Sequence, residues 1–417
     1  MSAPAPGAPS QPTGPSQPAG PRKPAAAAVS EQSPDRFAGL PDFLWDTLAV
    51  VKARAAAHPG GTVDLSIGTP VDPTPEPVRQ ALAAAADAPG YPTVHGIPAL
   101  RVAFRDWAIR RLSASATLDI EAVLPTVGSK EAVASLPSHL GLGPGDRVAV
   151  PMLAYPTYEV GALAAGATTV RYDPTVGLPD GPLALVWLNS PANPTGAVLS
   201  VQDTRTLVDA ARVRGAVVAS DECYAEFGWE DAPVSVLDPR VHGGRLDGLL
   251  ALHSLSKQSN LAGYRVGFLS GDPDLVRRLL GIRKHLGLIV AGPVQHAAVV
   301  ALADDAQVAA QRERYAARRA ALRPALAVAG LQVQESTGGL YLWAGGDEPA
   351  LRTVARLAEL GVLVAPGSFY GPAGGRHVRV ALTATDERVA AAVARLTTGR
   401  AARTAGTGPG DRPPEGP

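Results

Sequence analysis

The stretch Leu252-His-Ser-Leu-Ser-Lys-Gln-Ser-Asn-Leu-Ala-Gly-Tyr-Arg-Val-Gly-Phe268 sets one lysine, Lys257, between Ser254 and Ser256 on one side and Arg265 on the other. An amine among small hydroxyl and glycine residues, ahead of the largely apolar run 266–269, suits a loop that lines a site. Kept from water, a lysine amine loses proton affinity and attacks carbonyls; solvated, with a pKa of ~10.4, it stays mostly protonated. Ser254 offers a hydroxyl donor and Arg265 a guanidinium fork, and both suit a phosphate. Taken alone, Ser-x-Ser-Lys reads more simply as a surface lysine beside a turn. Other parts of the chain have to decide.

Three strand-like runs end in polar residues. Residues 184–188 lead into Asn189-Ser-Pro-Ala-Asn-Pro-Thr-Gly196, residues 216–219 into Ser220-Asp-Glu-Cys-Tyr224, and residues 249–252 into the lysine stretch. Asp221 follows an apolar strand, where a carboxylate can keep a heterocyclic nitrogen protonated. A pair about 4 Å apart at an effective dielectric of ~20 is worth about 4 kcal/mol, or about 3 pKa units before desolvation subtracts from it. The alternative is a helix-cap or turn aspartate. Tyr224 can bring a hydroxyl and Asn193 an amide to a ring oxygen, Asn193 being held in a turn by Pro194 and Gly196; an ordinary surface turn reads as well. A lysine for an aldehyde, serine and arginine for a phosphate, and a carboxylate for a ring nitrogen together make up the set that pyridoxal 5′-phosphate requires.

The elements that must hold these groups alternate. After an amphipathic helix over 43–57 comes a short strand at 63–67, running into Gly68-Thr-Pro70, where glycine lets backbone approach a ligand. A helix over 77–86 precedes a loop bearing Tyr91, which as a lone residue reads as a core aromatic. Residues 124–133 read as strand, tight turn and helix, with Gly128-Ser129-Lys130 at the helix N-terminus, where unpaired N–H groups favour an anion. A strand at 147–150 delivers Tyr155, either to stack on a flat ring or simply to pack. Strands at 167–172, 184–188, 216–219 and 249–252 alternate in part with helices, which predicts a mostly parallel sheet covered on both faces. Ligands then sit at its carboxyl edge.

Past Gly292-Pro293 the pattern changes to a smaller α+β region: a long helix over 304–329 interrupted near Pro324, strands at 339–343, 362–364 and 377–382, and a last helix to 396. Arg379 stands alone in the apolar strand Val378-Arg-Val-Ala-Leu382. It is either a structural ion pair or a fork for a substrate carboxylate, since an unpaired buried arginine costs several kcal/mol.

The composition sets limits. The 417 residues suggest two or three domains, and 46% hydrophobic residues suffice for a large core. Lys plus Arg equal Asp plus Glu at 38 each, so no net field draws the chain to nucleic acid or an anionic membrane. One cysteine, Cys223, excludes an internal disulfide framework and fits a reducing compartment, the cytoplasm. No apolar run approaches the ~20 residues of a membrane span, and no metal-ligand cluster is expected. The Pro/Ala-rich ends, 1–35 and 399–417, read as a disordered lead and tail. The expected divisions are 36–67 and 301–398 for the smaller part and 68–300 for the larger.

In order, Asn-Pro-x-Gly, Asp-x-x-Tyr, Ser-x-x-Lys with an arginine eight residues on, and a lone strand arginine resemble the class I/II, fold-type I aminotransferase family over about residues 36–396. The resemblance implies an α/β fold, with a large domain around a mostly parallel seven-stranded sheet and a smaller α+β domain. It implies that Lys257 bonds the cofactor aldehyde and later carries the proton between the substrate Cα and the cofactor. It further implies that Asp221 pairs with the ring nitrogen, Asn193 and Tyr224 hold the ring oxygen, and Tyr155 stacks on the ring. Ser254, Arg265 and Ser129-Lys130 hold the phosphate. Gly68 and Arg379 meet the substrate carboxylate, and Tyr91 reaches the phosphate of a neighbouring subunit in a homodimer. Amino acids and keto acids are the implied substrates, with an amino donor, glutamate in most of the family.

Within the family, Leu40-Pro-Asp-Phe-Leu-Trp-Asp-Thr-Leu48, Ser66-Ile-Gly-Thr-Pro-Val-Asp-Pro73, Trp187-Leu-Asn-Ser-Pro-Ala-Asn193 and Phe369-Tyr-Gly-Pro-Ala373 resemble the actinobacterial succinyldiaminopimelate aminotransferases, which act on the route to diaminopimelate and lysine. Aspartate aminotransferases carry an arginine for a distal carboxylate a few residues before the proline matched by Pro293. Aligned by eye, that position falls near Gly287, and Arg283, Lys284 or His285 are candidates to compensate.

Overall fold

The computed structural model describes residues 40, 41 and 44–406. The predicted N-terminal lead lies outside them, as do residues 407–417 of the predicted tail. The rest of that tail departs from expectation, because the last helix runs over Asp386–Gly406. Residues 399–406 are rich in alanine and arginine and free of proline, so nothing in them stops a helix.

The strands, in chain order, are β1 (Val63–Asp64), β2 (Val123–Thr126), β3 (Arg147–Pro151), β4 (Thr168–Tyr172), β5 (Leu185–Asn189), β6 (Val217–Asp221), β7 (Leu249–Ser254), β8 (Gly267–Gly271), β9 (Gln332–Gln334), β10 (Tyr341–Gly345), β11 (Val362–Leu363), β12 (Ala365–Pro366) and β13 (His377–Ala381). Seven of them form one sheet in the order β2-β8-β7-β6-β5-β3-β4. All neighbours are parallel except β8, which runs antiparallel to both β2 and β7. Helices cover the sheet, so its central strands are buried along their whole length and read as continuous apolar runs. Phe104 and Trp107 of the helix Pro98–Leu112 pack in the core on one face, and Tyr158 and Trp187 in that on the other.

The reversed strand has a consequence for the site. Because β8 alone is reversed, β2, β3, β5, β6 and β7 all end at one edge, and β8 begins there. Asn189 stands beside Asp221, and Asp221 beside Leu252, in the hydrogen-bonded register. The residues preceding β8, Arg265 among them, arrive at that same edge.

The C-terminal part carries a four-stranded sheet in the order β12-β13-β10-β9, with its own core, and β1 pairs with β11 beside it. Three local expectations change. The strand expected at 63–67 stops at Asp64, because the Asp64 carboxylate accepts from both the backbone N–H and the hydroxyl of Ser66 and turns the chain. The N-terminal helix begins as a 3₁₀ turn, Leu44–Leu48, before Ala49–Ala56. The helix Asp305–Val328 passes through Pro324 without a break. Pro324 and Ala320, whose carbonyl loses its donor, are both exposed, so water can satisfy that carbonyl.

Candidate active site

The short helix Leu255–Gln258 continues directly from β7, and Ser254 caps it by accepting from the Ser256 N–H at 3.1 Å. This turn lifts Lys257 off the sheet edge. Its Nζ donates to the Gly68 carbonyl and forms no ion pair among the described residues. Burial is the main force lowering the Lys257 pKa; the nearby charges of Arg379 and Arg265 act the same way, while Tyr341 opposes them. The amine is therefore biased toward its neutral, nucleophilic form.

Asp221 ends β6 with its side chain buried. The Tyr158 hydroxyl donates to its Oδ2 at 2.8 Å, the Cys223 backbone N–H donates to Oδ1 at 3.3 Å, and Asn189 Nδ2 donates to its carbonyl at 2.8 Å. Burial raises the Asp221 pKa, and hydrogen bonds from Cys223 and Tyr158 only partly offset it. A buried carboxylate with no ion pair among the described residues is short of one cation.

At one end of this edge lies the turn between β2 and the helix Ser129–His139. Gly128 there has a φ of 73°, and a Cβ on it would come within 2.2 Å of Arg265 Nη2. Arg265, itself left-handed at φ 56°, donates to the carbonyls of Ala262 at 2.9 Å and Val127 at 3.4 Å. Ser129 accepts from Cys223 Sγ at 3.1 Å, and Lys130 is exposed on the helix's first turn. A guanidinium over a helix N-terminus suits an anion.

At the other end, Arg379 is 3% exposed. It donates to Asn193 Oδ1 at 2.8 Å and to the Ser66 carbonyl at 2.7 Å, and its guanidinium lies 3.9 Å from the Tyr341 ring centre and 4.9 Å from that of Tyr370. No ion pair holds it among the described residues, and its Nε has no partner there. Because Asn193 Oδ1 is taken, the Asn193 amide remains as a donor. Tyr224 places its hydroxyl 3.1 Å from that of Tyr341. Gly68 passes so close that a Cβ would lie 2.2 Å from Tyr341 Oη.

Lys257, Asp221, Tyr224, Asn193, Ser254, Arg265, Gly68 and Arg379 thus come to one edge from segments far apart in sequence. Tyr155 stands beside Tyr158 with ring centres 5.7 Å apart, and burial pushes its hydroxyl up to about 12. Tyr91 is not brought into the site of its own chain, being 99% exposed. Nor does Arg283 stand ready for a substrate, since Glu131 holds it in a buried fork at 2.8 and 2.9 Å. Gly287 is the left-handed cap of the helix Pro273–Leu286 that carries Arg283, and Lys284 and His285 are exposed. Tyr341, Tyr370, Tyr158 and Asn189 belong to the site without having been singled out in the sequence. The polar residue Asn189 at a buried strand end was the available signal; a tyrosine in an apolar strand gives none.

Residues 61–396 match the family model of aminotransferase class I and II. The chain belongs to this family. The family's enzymes use pyridoxal 5′-phosphate and act on amino acids and keto acids, so this chain is an aminotransferase of the fold-type I, α/β architecture. It is 59% identical to a 4-dedimethylamino-4-oxo-anhydrotetracycline transaminase of Streptomyces rimosus, over 86% of this chain and 99% of that one. A probable aminotransferase of Mycobacterium tuberculosis is 57% identical over 86% of each. The LL-diaminopimelate aminotransferase of Aquifex aeolicus is 32% identical over 87% of this chain and 97% of its own. Among solved structures, substrate-bound BacF of Bacillus subtilis aligns with a TM-score of 0.79 at 26% identity, covering 88% of this chain and 98% of that one. A Thermus thermophilus aspartate aminotransferase mutant aligns at 0.77 and 26%, covering 87% and 98%. No helix among the described residues is long and apolar enough to cross a membrane.

Proposed function

We propose that this aminotransferase holds pyridoxal phosphate at the sheet's carboxyl edge and moves an amino group from glutamate to N-succinyl-2-amino-6-oxopimelate, on the route to diaminopimelate and lysine. The observation that carries the reading is the half-buried Lys257 amine placed between two guanidinium groups, Arg265 toward the Gly128 turn and Arg379 toward Gly68. One fork suits a phosphate and the other a carboxylate.

The residues fit the cofactor. The Arg265 guanidinium reaches the Gly128 turn because that residue has no Cβ, and the buried Asp221 carboxyl, with no ion pair among the described residues, suits a cationic partner such as a protonated ring nitrogen. When bound, the cofactor supplies an electron sink for the substrate's Cα. Asp221 keeps the ring nitrogen protonated, while Asn193 and Tyr224 donate to the ring oxygen. Ser254, Arg265, Ser129 and Lys130 hold the phosphate, Tyr155 covers the ring, and Lys257 gives and takes the Cα proton. Arg379 and Gly68 seat the substrate's α-carboxylate. Tyr91, fully exposed in one protomer, reaches the neighbouring subunit's phosphate in a homodimer of the cytoplasm. The large domain spans 68–300, the smaller 36–67 with 301–398.

The substrate is supported by the four sequence segments quoted above and by relatives named for diaminopimelate. With Gly287 a cap and Arg283 engaged, the protomer offers no arginine at the position that reads a short distal carboxylate, which agrees with a longer acceptor. A second reading is amination of another acceptor, favoured by the relative named for an anhydrotetracycline ketone; a β-lyase on the same scaffold is the third. A panel of amino acceptors with glutamate as donor, including succinylated and acetylated amino-oxopimelate, separates them. Turnover only with a polycyclic ketone selects the second, and pyruvate plus ammonia from a cysteine conjugate selects the third.

A further inference from the structure

We propose that Tyr341 is a positioning residue for this site, whose hydroxyl orients that of Tyr224 and whose ring face seats the Arg379 guanidinium. The inference rests on the reading of the site given above. Tyr341 lies on β10, two residues from Trp343, which pairs with Arg379 of β13. Side chains on one sheet face recur every second residue, so Tyr341 and Arg379 share a face and meet diagonally. The guanidinium 3.9 Å over the ring is held by the aromatic quadrupole, and Tyr370 takes its other contact at 4.9 Å. The hydroxyl continues past the ring to Tyr224, 3.1 Å away, in the space that only a glycine at position 68 leaves open.

The chemistry follows from the inventory of a hydroxyl, which donates once and accepts twice. Once Tyr224 donates to a cofactor ring oxygen, its own oxygen is left to accept, and Tyr341 is the neighbour able to donate to it. Accepting that bond polarises the Tyr224 O–H and makes it a stronger donor, because chained hydrogen bonds reinforce one another. A stronger donor would favour an anionic ring oxygen on a bound cofactor and would lower the pH at which the cofactor's bond to Lys257 loses its proton. The titratable and charged groups around Tyr341 are Arg379, Lys257, Tyr224, Cys223, Tyr370, Tyr155 and Tyr315. Burial pushes the Tyr341 hydroxyl up, while Arg379, Lys257 and the hydrogen bond with Tyr224 act the other way and leave it lowered; either hydroxyl of the pair can be the donor until Tyr224 gives its proton elsewhere.

Two variants of the full-length holoenzyme separate hydroxyl from ring. Tyr341→Phe keeps the face under Arg379 and removes only the donor. The pH at which the bound cofactor's visible band changes should rise by roughly half to one unit. In the same variant KM for the amino donor should stay within about twofold, whereas Tyr341→Leu, which also removes the ring face, should raise it about tenfold. A residue that merely fills space would leave the band's midpoint in place in Tyr341→Phe, and an unchanged or lowered midpoint overturns the assignment. If the wild-type holoprotein shows no Lys257-dependent visible band, the reading of the site falls and this inference with it. A band that depends on Lys257 yet ignores Tyr341→Phe removes only the inference.

Discussion

The two arginines of the site are held in opposite ways. Arg265 is exposed, sits in a left-handed turn and bonds carbonyls of its own loop and of the adjacent turn. Arg379 is buried on a strand and depends on Asn193, the Ser66 carbonyl and two tyrosine rings from four separate segments. At the Arg265 end, backbone N–H groups of a helix N-terminus share the work, and the geometry is local. At the Arg379 end distant side chains and the Ser66 carbonyl hold the guanidinium, in a desolvated space where charge interactions are strong. Losing one group should therefore cost far more at the second end than at the first.

Lys257 lies between the ends and tests both. Lys257→Ala should abolish the visible absorbance of the holoprotein and lower kcat by about 10⁴ or more. A mutant that still forms a reducible lysine–cofactor adduct would refute the assignment. Next in size, Arg379→Ala should raise KM for amino donor and acceptor by about 10²-fold while leaving cofactor affinity within about twofold. If equilibrium dialysis shows cofactor lost instead, with KM unmoved, Arg379 is structural and the comparison inverts. At the local end Gly128→Ala should be milder: its positive φ with extended ψ costs about 1–3 kcal/mol for a residue with a Cβ, and the methyl displaces the Arg265 tip. Cofactor Kd should rise about tenfold, with KM unchanged.

The smallest effects belong to the braces behind each end. Asp72 and Arg318 pin the loop after Gly68 at 2.6 and 2.8 Å, and Glu131 and Arg283 pin the helix after Gly128. In both carboxyls burial works upward, but the arginine outweighs it and the net pKa is lowered. A carboxyl depressed on folding contributes stability that is fully present above its unfolded pKa, about 4, and is lost as pH falls through the lower folded value. Asp72→Asn and Glu131→Gln should each flatten that acid limb in urea unfolding at a series of pH values. An acid limb as steep as wild type in both variants would show that the braces carry no linkage.

Legibility in the sequence followed the same division. Lys257, Asp221, Asn193 and the Gly128 turn were readable because each sits just past a buried apolar strand, and parallel strands bring their ends to one edge. The β8 strand was read only as an apolar run after the lysine loop, since two of its five residues are glycine. Ser66 turned the chain through the Asp64 carboxylate, a side-chain bond that alternation of apolar residues does not register. Arg379 was ambiguous for a physical reason. A buried guanidinium demands partners, but whether these are a carboxylate or a set of rings and carbonyls depends on how the chain folds around it, with one partner 313 residues away.

By itself the sequence determined which groups the protein owns and that most of them fall at strand ends, because residue type and the period of burial are local properties; the order of its motifs carried the resemblance to the family. Only the tertiary structure decided that Tyr341 meets both Arg379 and Tyr224, that Arg283 is spent on Glu131, and that Tyr91 is left exposed. Those facts are distances between segments that chain connectivity leaves free, and close packing around the sheet edge is what sets them.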